Sequence, residues 1–132
     1  MGLGPWITHI MFKRLFGSGG APAETAPELD LEALRDSETV ILFKHSPTCG
    51  VSLAARSRVE QFRAAHPAIP VHTILVRSQR ALSTRIAEWA NLEHESPQVI
   101  VVRRGKVVSA ASHEGVTVEY LARATSAGPD IR

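Results

Sequence analysis

Cysteine occurs once in the sequence, at Cys49, and Ser52 stands three residues after it. A thiolate is a strong nucleophile and metal ligand, and its characteristic reaction is attack on a disulfide. In a Cys-x-x-Cys pair the second thiol resolves the mixed disulfide that the first one forms. The stretch Cys49-Gly50-Val51-Ser52 has a hydroxyl at that fourth position. Ser52 can donate a hydrogen bond toward a thiolate but forms no disulfide. The expected chemistry therefore halts at a mixed disulfide until an outside thiol attacks. Cys49 and Ser52 are the candidate catalytic pair. Lys44 and His45 lie just upstream and Arg56 downstream, so positive charge is expected around the sulfur. His45 either tunes the thiolate or holds its ring in solvent.

Whether Cys49 reacts depends on the elements that carry it. Thr39 to Lys44 is an apolar, β-branched run and predicts a buried strand. His45-Ser46-Pro47-Thr48 predicts a turn, since Pro47 cannot continue a central ladder. From Cys49 to about Ala65, Val51, Ala54, Ala55, Val59 and Phe62 recur at helical spacing. Cys49 thus falls at a helix start. The unpaired N–H groups and dipole there favour an anion, so the thiolate form is favoured. A cysteine placed elsewhere is usually a small buried hydrophobe.

The remaining chain continues the pattern. Asp30 is expected to cap a short helix carrying Leu31 and Leu34. Pro67 and Pro70 separate the Cys49 helix from a strand at 71 to 76. A helix from about Arg80 to Leu92 follows, capped by Ser78 or Ser83, with Leu82, Ile86 and Trp89 on its apolar stripe. Ser96-Pro97-Gln98 precedes a strand at 99 to 103. Arg104-Gly105 turns into a strand at 106 to 112, and a last helix covers about Thr117 to Thr125. Strands joined by a crossover helix imply a parallel pair, and the hairpin adds an antiparallel edge. The expected fold class is α/β, with a central four-stranded mixed sheet flanked by helices.

Bulk properties narrow the function classes. The 132 residues suffice for one domain with a real core. Residues 1 to 28 read as an N-terminal tail and linker, 29 to 127 as the domain, and 128 to 132 as a C-terminal tail. The tail's apolar run from Trp6 to Phe12 is either a weak amphipathic segment or unstructured. Lys13 and Arg14 follow that run, the reverse of a secretory signal. No stretch is long and apolar enough for stable membrane insertion. The net charge of +2 is spread along the chain and does not make a nucleic-acid patch. A single thiol excludes an internal disulfide and a cysteine-rich zinc site, and it fits a reducing cytoplasm. His9, His66, His72 and His94 have no metal-ligand spacing, so no metal site is expected.

Three segments together carry a resemblance. Lys44-His45-Ser46-Pro47-Thr48-Cys49-Gly50-Val51-Ser52 resembles the active-site stretch of the YtxJ-type monothiol bacilliredoxins. His94-Glu95-Ser96-Pro97-Gln98 resembles their cis-proline segment, and Ser112-His113-Glu114-Gly115-Val116-Thr117 the piece before their last helix. The resemblance spans roughly residues 29 to 125. It implies a thioredoxin-like fold and removal of bacillithiol from protein mixed disulfides. Bacillithiol, a cysteine–glucosamine–malate thiol, would be a co-substrate and not a bound cofactor. The implied partners are bacillithiolated client proteins and a low-molecular-weight thiol that frees Cys49. A cis Ser96–Pro97 bond would set the Ser96 backbone beside Cys49, so Thr48, Gly50, Ser96, Pro97 and His45 form the implied substrate surface. His113 either meets the thiol ligand or closes the loop before Thr117. Arg103 and Arg104 are hairpin charges, or they meet the malate carboxylates.

One residue departs from the family pattern. Gly50 stands where members often carry proline. It makes the motif similar to the Cys-Gly-Phe-Ser of monothiol glutaredoxins, which bridge a [2Fe–2S] cluster between subunits. A cluster carrier is therefore the alternative, although Ala110-Ala111-Ser112-His113 replaces their Gly-Gly-Asp-like segment. A non-catalytic thioredoxin-like interaction domain is the third reading.

Overall fold

A computed structural model describes residues 29 to 126. The two predicted tails, 1 to 28 and 128 to 132, and residue 127 of the predicted domain lie outside the described residues. The chain runs through β1 (Thr39–His45), α1 (Gly50–Ala65), β2 (Val71–Leu75), α2 (Arg80–Ala90), β3 (Gln98–Arg103), β4 (Lys106–Ser112) and α3 (Val118–Thr125). Short 3-10 turns cover Leu31–Asp36 and His113–Gly115. Asp30 caps the first of these by accepting the Glu32 N–H.

The sheet order is β2-β1-β3-β4. β1 pairs parallel with β2, and β3 pairs antiparallel with both β1 and β4. The mixed four-stranded sheet is as expected. Side chains alternate across it with period two. Ile41, Phe43, Val99 and Val101 meet Ala55, Val59 and Phe62 of α1 and Leu121 of α3. Val40, Leu42, Ile100 and Val102 meet Leu82 and Ile86 of α2 on the other face. With both faces covered, the central strands are continuously buried, which is why they read as unbroken apolar runs.

Several boundaries differ from expectation for identifiable reasons. β1 continues through His45 because His45 pairs with Leu75. α2 stops at Ala90, since Asn91 takes a left-handed φ of 57° and closes the helix. Neither Ser78 nor Ser83 caps α2; Gln79 occupies that position. Ser83 is instead buried inside the helix, with Oγ 3.3 Å from His94 Nδ1. On α1 the buried stripe is Ser52, Ala55, Val59 and Phe62, while Val51 is 41% exposed. Thr117 caps α3 by accepting the Tyr120 N–H at 3.0 Å.

The β3–β4 turn needs its glycine. Arg104 and Gly105 have φ of 53° and 80°, the left-handed pair of a tight hairpin. A Cβ on Gly105 would lie 2.9 Å from the Arg35 Cα, which is backbone and cannot swing away. Gly105→Ala is expected to lower stability by about 1 kcal/mol. Chemical denaturation with an unchanged m-value would register it.

Candidate active site at the ends of β1 and β3

The register of the sheet assembles the site. Lys44 opposes Gln98 across β1 and β3, so the residues just before β3 lie beside the end of β1. Those residues are Ser96 and Pro97, joined by a cis peptide bond. β4 ends at the same place, with Ser112 opposite Gln98. The next residue, His113, donates its backbone N–H to the Pro97 carbonyl at 3.0 Å. Its Nε2 lies 3.2 Å from Glu95 Oε1. Both contacts close the loop around the proline. Of the two readings of His113, these contacts supply the structural one.

Cys49 is the N-cap residue of α1, in extended conformation and partly buried. Its N–H donates to the Ser46 carbonyl at 3.1 Å, and its carbonyl accepts from the Leu53 N–H at 2.9 Å. The N–H groups of Gly50, Val51 and Ser52 have no acceptor inside the helix, as at any helix start. The first turn carries no acidic residue. An anionic sulfur at the cap thus meets open donors and the positive dipole end with no competing carboxylate in that turn.

Ser52 is fully buried, at the top of the apolar stripe of α1. Its Oγ accepts the Ser46 N–H at 2.9 Å and lies 2.8 Å from His45 Nδ1. The hydroxyl is therefore engaged with the turn and with β1, and no hydrogen bond joins it to Cys49 in the structure. The expected donation to sulfur is not made in this arrangement; the partners of the hydroxyl are Ser46 and His45. His45 is 4% exposed, so its ring is not in solvent. It stacks on Phe43 with centroids 5.3 Å apart. Burial, reinforced by the charge of Arg56, lowers its pKa and favours the neutral ring. Thr48 is exposed beside the cysteine, its Oγ1 3.4 Å from Ser46 Oγ.

Two expected charges are elsewhere. Strand alternation sends Lys44 to the α2 face, opposite His45. It is fully buried there, its Nζ 3.1 Å from His94 Nδ1. Lys44 therefore does not add charge to the α1 side. Arg103 and Arg104 lie at the far end of β3, opposite Thr39 at the start of β1. Six residues of strand, about 20 Å, separate them from Cys49, which removes them as partners of a thiol bound there. Sequence reading missed two buried polar atoms beside the proline, Ser96 Oγ and Gln98 Oε1. Neither has a hydrogen-bond partner. The polar residues that interrupt the apolar run at the start of β3 were the available signal.

A lone partly exposed thiol at a helix cap, just beyond the strand end that a cis-proline segment flanks, is the arrangement of a thiol–disulfide oxidoreductase. The family model for monothiol bacilliredoxin BrxC matches residues 24–121. The chain belongs to the monothiol bacilliredoxin family. Among solved structures, this bacilliredoxin is similar to one described as an oxidoreductase with a thioredoxin fold. The TM-score is 0.66 at 30% identity, covering 70% of this chain and 82% of that one. Desulfothioredoxin from Desulfovibrio vulgaris Hildenborough, in reduced form, matches with TM-score 0.56 and 18% identity over 73% and 86% of the two chains. Trxlp from Edwardsiella tarda matches with TM-score 0.58 and 18% identity over 74% and 93%. The bacilliredoxin fold is thus the thioredoxin fold, as the segment resemblance implied. No helix among the described residues is long and apolar enough to cross a membrane.

The family's usual proline can be tested on this chain. Gly50 is the first helical residue, and a Cβ there would meet nothing within 4 Å. Cys49 already has φ −109° and ψ 127°, the conformation a following proline requires. Gly50→Pro is expected to raise stability by about 0.4–1 kcal/mol through the unfolded chain. It also removes the Gly50 N–H, so Cys49 alkylation is expected to slow. Melting and alkylation measured on the same preparation would show the two effects moving oppositely.

Proposed function

We propose that this bacilliredoxin removes bacillithiol from protein mixed disulfides through Cys49. The Cys49 thiolate attacks the bacillithiol sulfur. The Cys49–bacillithiol disulfide forms as the client–bacillithiol disulfide breaks, and the client leaves as a thiolate that takes a proton from water. An outside low-molecular-weight thiol then attacks the bacillithiol sulfur. Cys49 is released as thiolate, and the bacillithiol leaves in a disulfide with that thiol. No net oxidation of the protein results.

The observation that carries this reading is Cys49 at the cap of α1 with a serine, not a thiol, in the resolving position. Bacillithiol as the thiol carried is suggested by family membership. Ser96 and Pro97 offer extended backbone to the client on this reading. Val51 and Leu75, 41% and 37% exposed, add apolar surface on the α1 and β2 sides. Incubation with a bacillithiolated client, followed by intact-mass measurement, tests the reading. The expected result is one bacillithiol mass on this chain, at Cys49, and a free client thiol. Persistence of bacillithiol on the client would overturn it.

Gly50 supports one second reading, a [2Fe–2S] carrier, because the space above it is open to a ligand. Anaerobic reconstitution followed by visible absorption separates the two.

A further inference from the structure

We propose that His45 is a positioning residue that sets the direction of the Ser52 hydroxyl and so determines whether Ser52 can donate to the Cys49 sulfur. The inference rests on the reading above only in taking the Cys49 thiolate as the reacting species.

The argument is a count of protons around one oxygen. Ser52 Oγ has one proton and two lone pairs. The Ser46 N–H occupies one lone pair at 2.9 Å. His45 Nδ1 stands 2.8 Å away, and Ser52 is wholly buried, so water does not complete the set. Two arrangements satisfy the Ser52 oxygen and His45 Nδ1. When the neutral ring carries its proton on Nε2, Nδ1 accepts and Ser52 spends its only proton on His45. Nothing remains for sulfur. When the ring carries its proton on Nδ1, His45 donates to Ser52, and the hydroxyl proton is free to turn.

The structure has no Ser52 to Cys49 hydrogen bond, and the 2.8 Å His45–Ser52 distance fits either tautomer. Cys49 and Ser52 occupy the N-cap and third helical positions, an i, i+3 pair on one side of the helix start. A side-chain rotation of Cys49 and a turn of the hydroxyl would join them. The thiol form is compatible with the first arrangement, because S–H needs no donor. The thiolate gains a donor in the second. The pair His45–Ser52 therefore follows the charge on Cys49, and His45 acts without touching the sulfur. Ser52 replaces a resolving thiol with a hydroxyl whose orientation is set from β1. Arg56 on α1 is the charge whose field reaches His45, and Lys44 on the same strand points to the other face.

The test has two parts. Cys49 alkylation by iodoacetamide is followed against pH in His45→Phe, Ser52→Ala, the double variant and His45→Asn. Phenylalanine keeps a ring beside Phe43, and asparagine keeps a donor and an acceptor near the Nδ1 position. Expected is about a tenfold slowing at neutral pH for Ser52→Ala, the size of one hydrogen bond to a charge, and no slowing for His45→Phe, which removes the competing acceptor and leaves the Ser52 proton free for sulfur. The double variant should match Ser52→Ala, and His45→Asn should keep the unmodified rate. A loss in His45→Phe that adds to the Ser52→Ala loss in the double variant would show that His45 acts independently of the hydroxyl, and would overturn the proposal.

The second part uses the unmodified residue. Nitrogen-15 shifts of the His45 ring report which nitrogen bears the proton. They are expected to change as Cys49 ionises, and not to change in Cys49→Ser or Ser52→Ala. A ring indifferent to Cys49 refutes the coupling even if His45→Phe does not fold. Neither readout involves bacillithiol. Failure of bacillithiol transfer would leave this coupling intact, and failure of the coupling would leave transfer intact.

Discussion

Cys49→Ser is expected to abolish transfer while leaving the protein as stable as before, or slightly more so. A serine hydroxyl is essentially un-ionised near neutral pH and does not attack a disulfide sulfur, so the rate should fall to the uncatalysed level. The fold loses little. Cys49 is only partly buried, and its side chain makes no capping bond. Serine is among the preferred N-cap residues, and its oxygen accepts from the first-turn N–H groups. A gain of about 0.5–1 kcal/mol is therefore expected. Client release monitored beside thermal unfolding gives both numbers. Transfer that survives in Cys49→Ser would remove Cys49 from the mechanism, and a large loss of stability would make it a core residue.

The second large effect concerns Lys44. It is fully buried, and among the described residues its one hydrogen bond is to the neutral acceptor His94 Nδ1, with no carboxylate paired to it. Burial lowers its pKa from the ordinary lysine value. His94 is lowered too, first by its own burial and then by Lys44, with Glu95 opposing. Lysine at this position therefore costs stability in its charged form. The unfolded chain holds the Lys44 proton more tightly than the folded one. Between the lowered folded pKa and the ordinary value, the unfolded state binds more protons, so stability from this group rises with pH across that window. Below the folded pKa the full penalty remains. Lys44→Met keeps an unbranched chain of similar length and removes the charge. It is expected to stabilise the fold by about 3 kcal/mol at neutral pH, and by progressively less as pH approaches the lysine range. Denaturation midpoints measured at neutral and alkaline pH would show the difference closing. A loss of stability would mean that the Nζ–His94 contact outweighs the buried charge.

Much of this molecule was legible in the sequence because both faces of the sheet are covered. Val40 to Phe43 and Val99 to Val102 had to be apolar throughout, and their runs exposed them. The position of Cys49 followed from where the first run stopped and the helical spacing began. The polar interior was not legible. Ser52 has the composition of a surface residue, and only its place three residues before Ala55 on the buried stripe betrays it. Lys44 and His45 are adjacent in the chain and were read as one patch of charge. Strand alternation puts the sheet between them, one against α1 and the other against α2. Arg103 and Arg104 looked available to the thiol ligand because sequence distance says nothing about which end of an antiparallel strand a residue occupies.

The buried oxygen at position 52 also bears on descent. A change from serine to cysteine is among the smallest in volume, and the stripe of α1 would hold the sulfur. Yet sulfur is a weak acceptor. The Ser46 N–H and His45 Nδ1, now matched by oxygen, would both lose a good partner beneath the turn that presents Cys49. Conversion to a dithiol would thus begin in a less stable protein, and a compensating change at His45 or Ser46 would have to accompany it. The single-thiol state is held in place by the interior of the fold as well as by the chemistry at its surface.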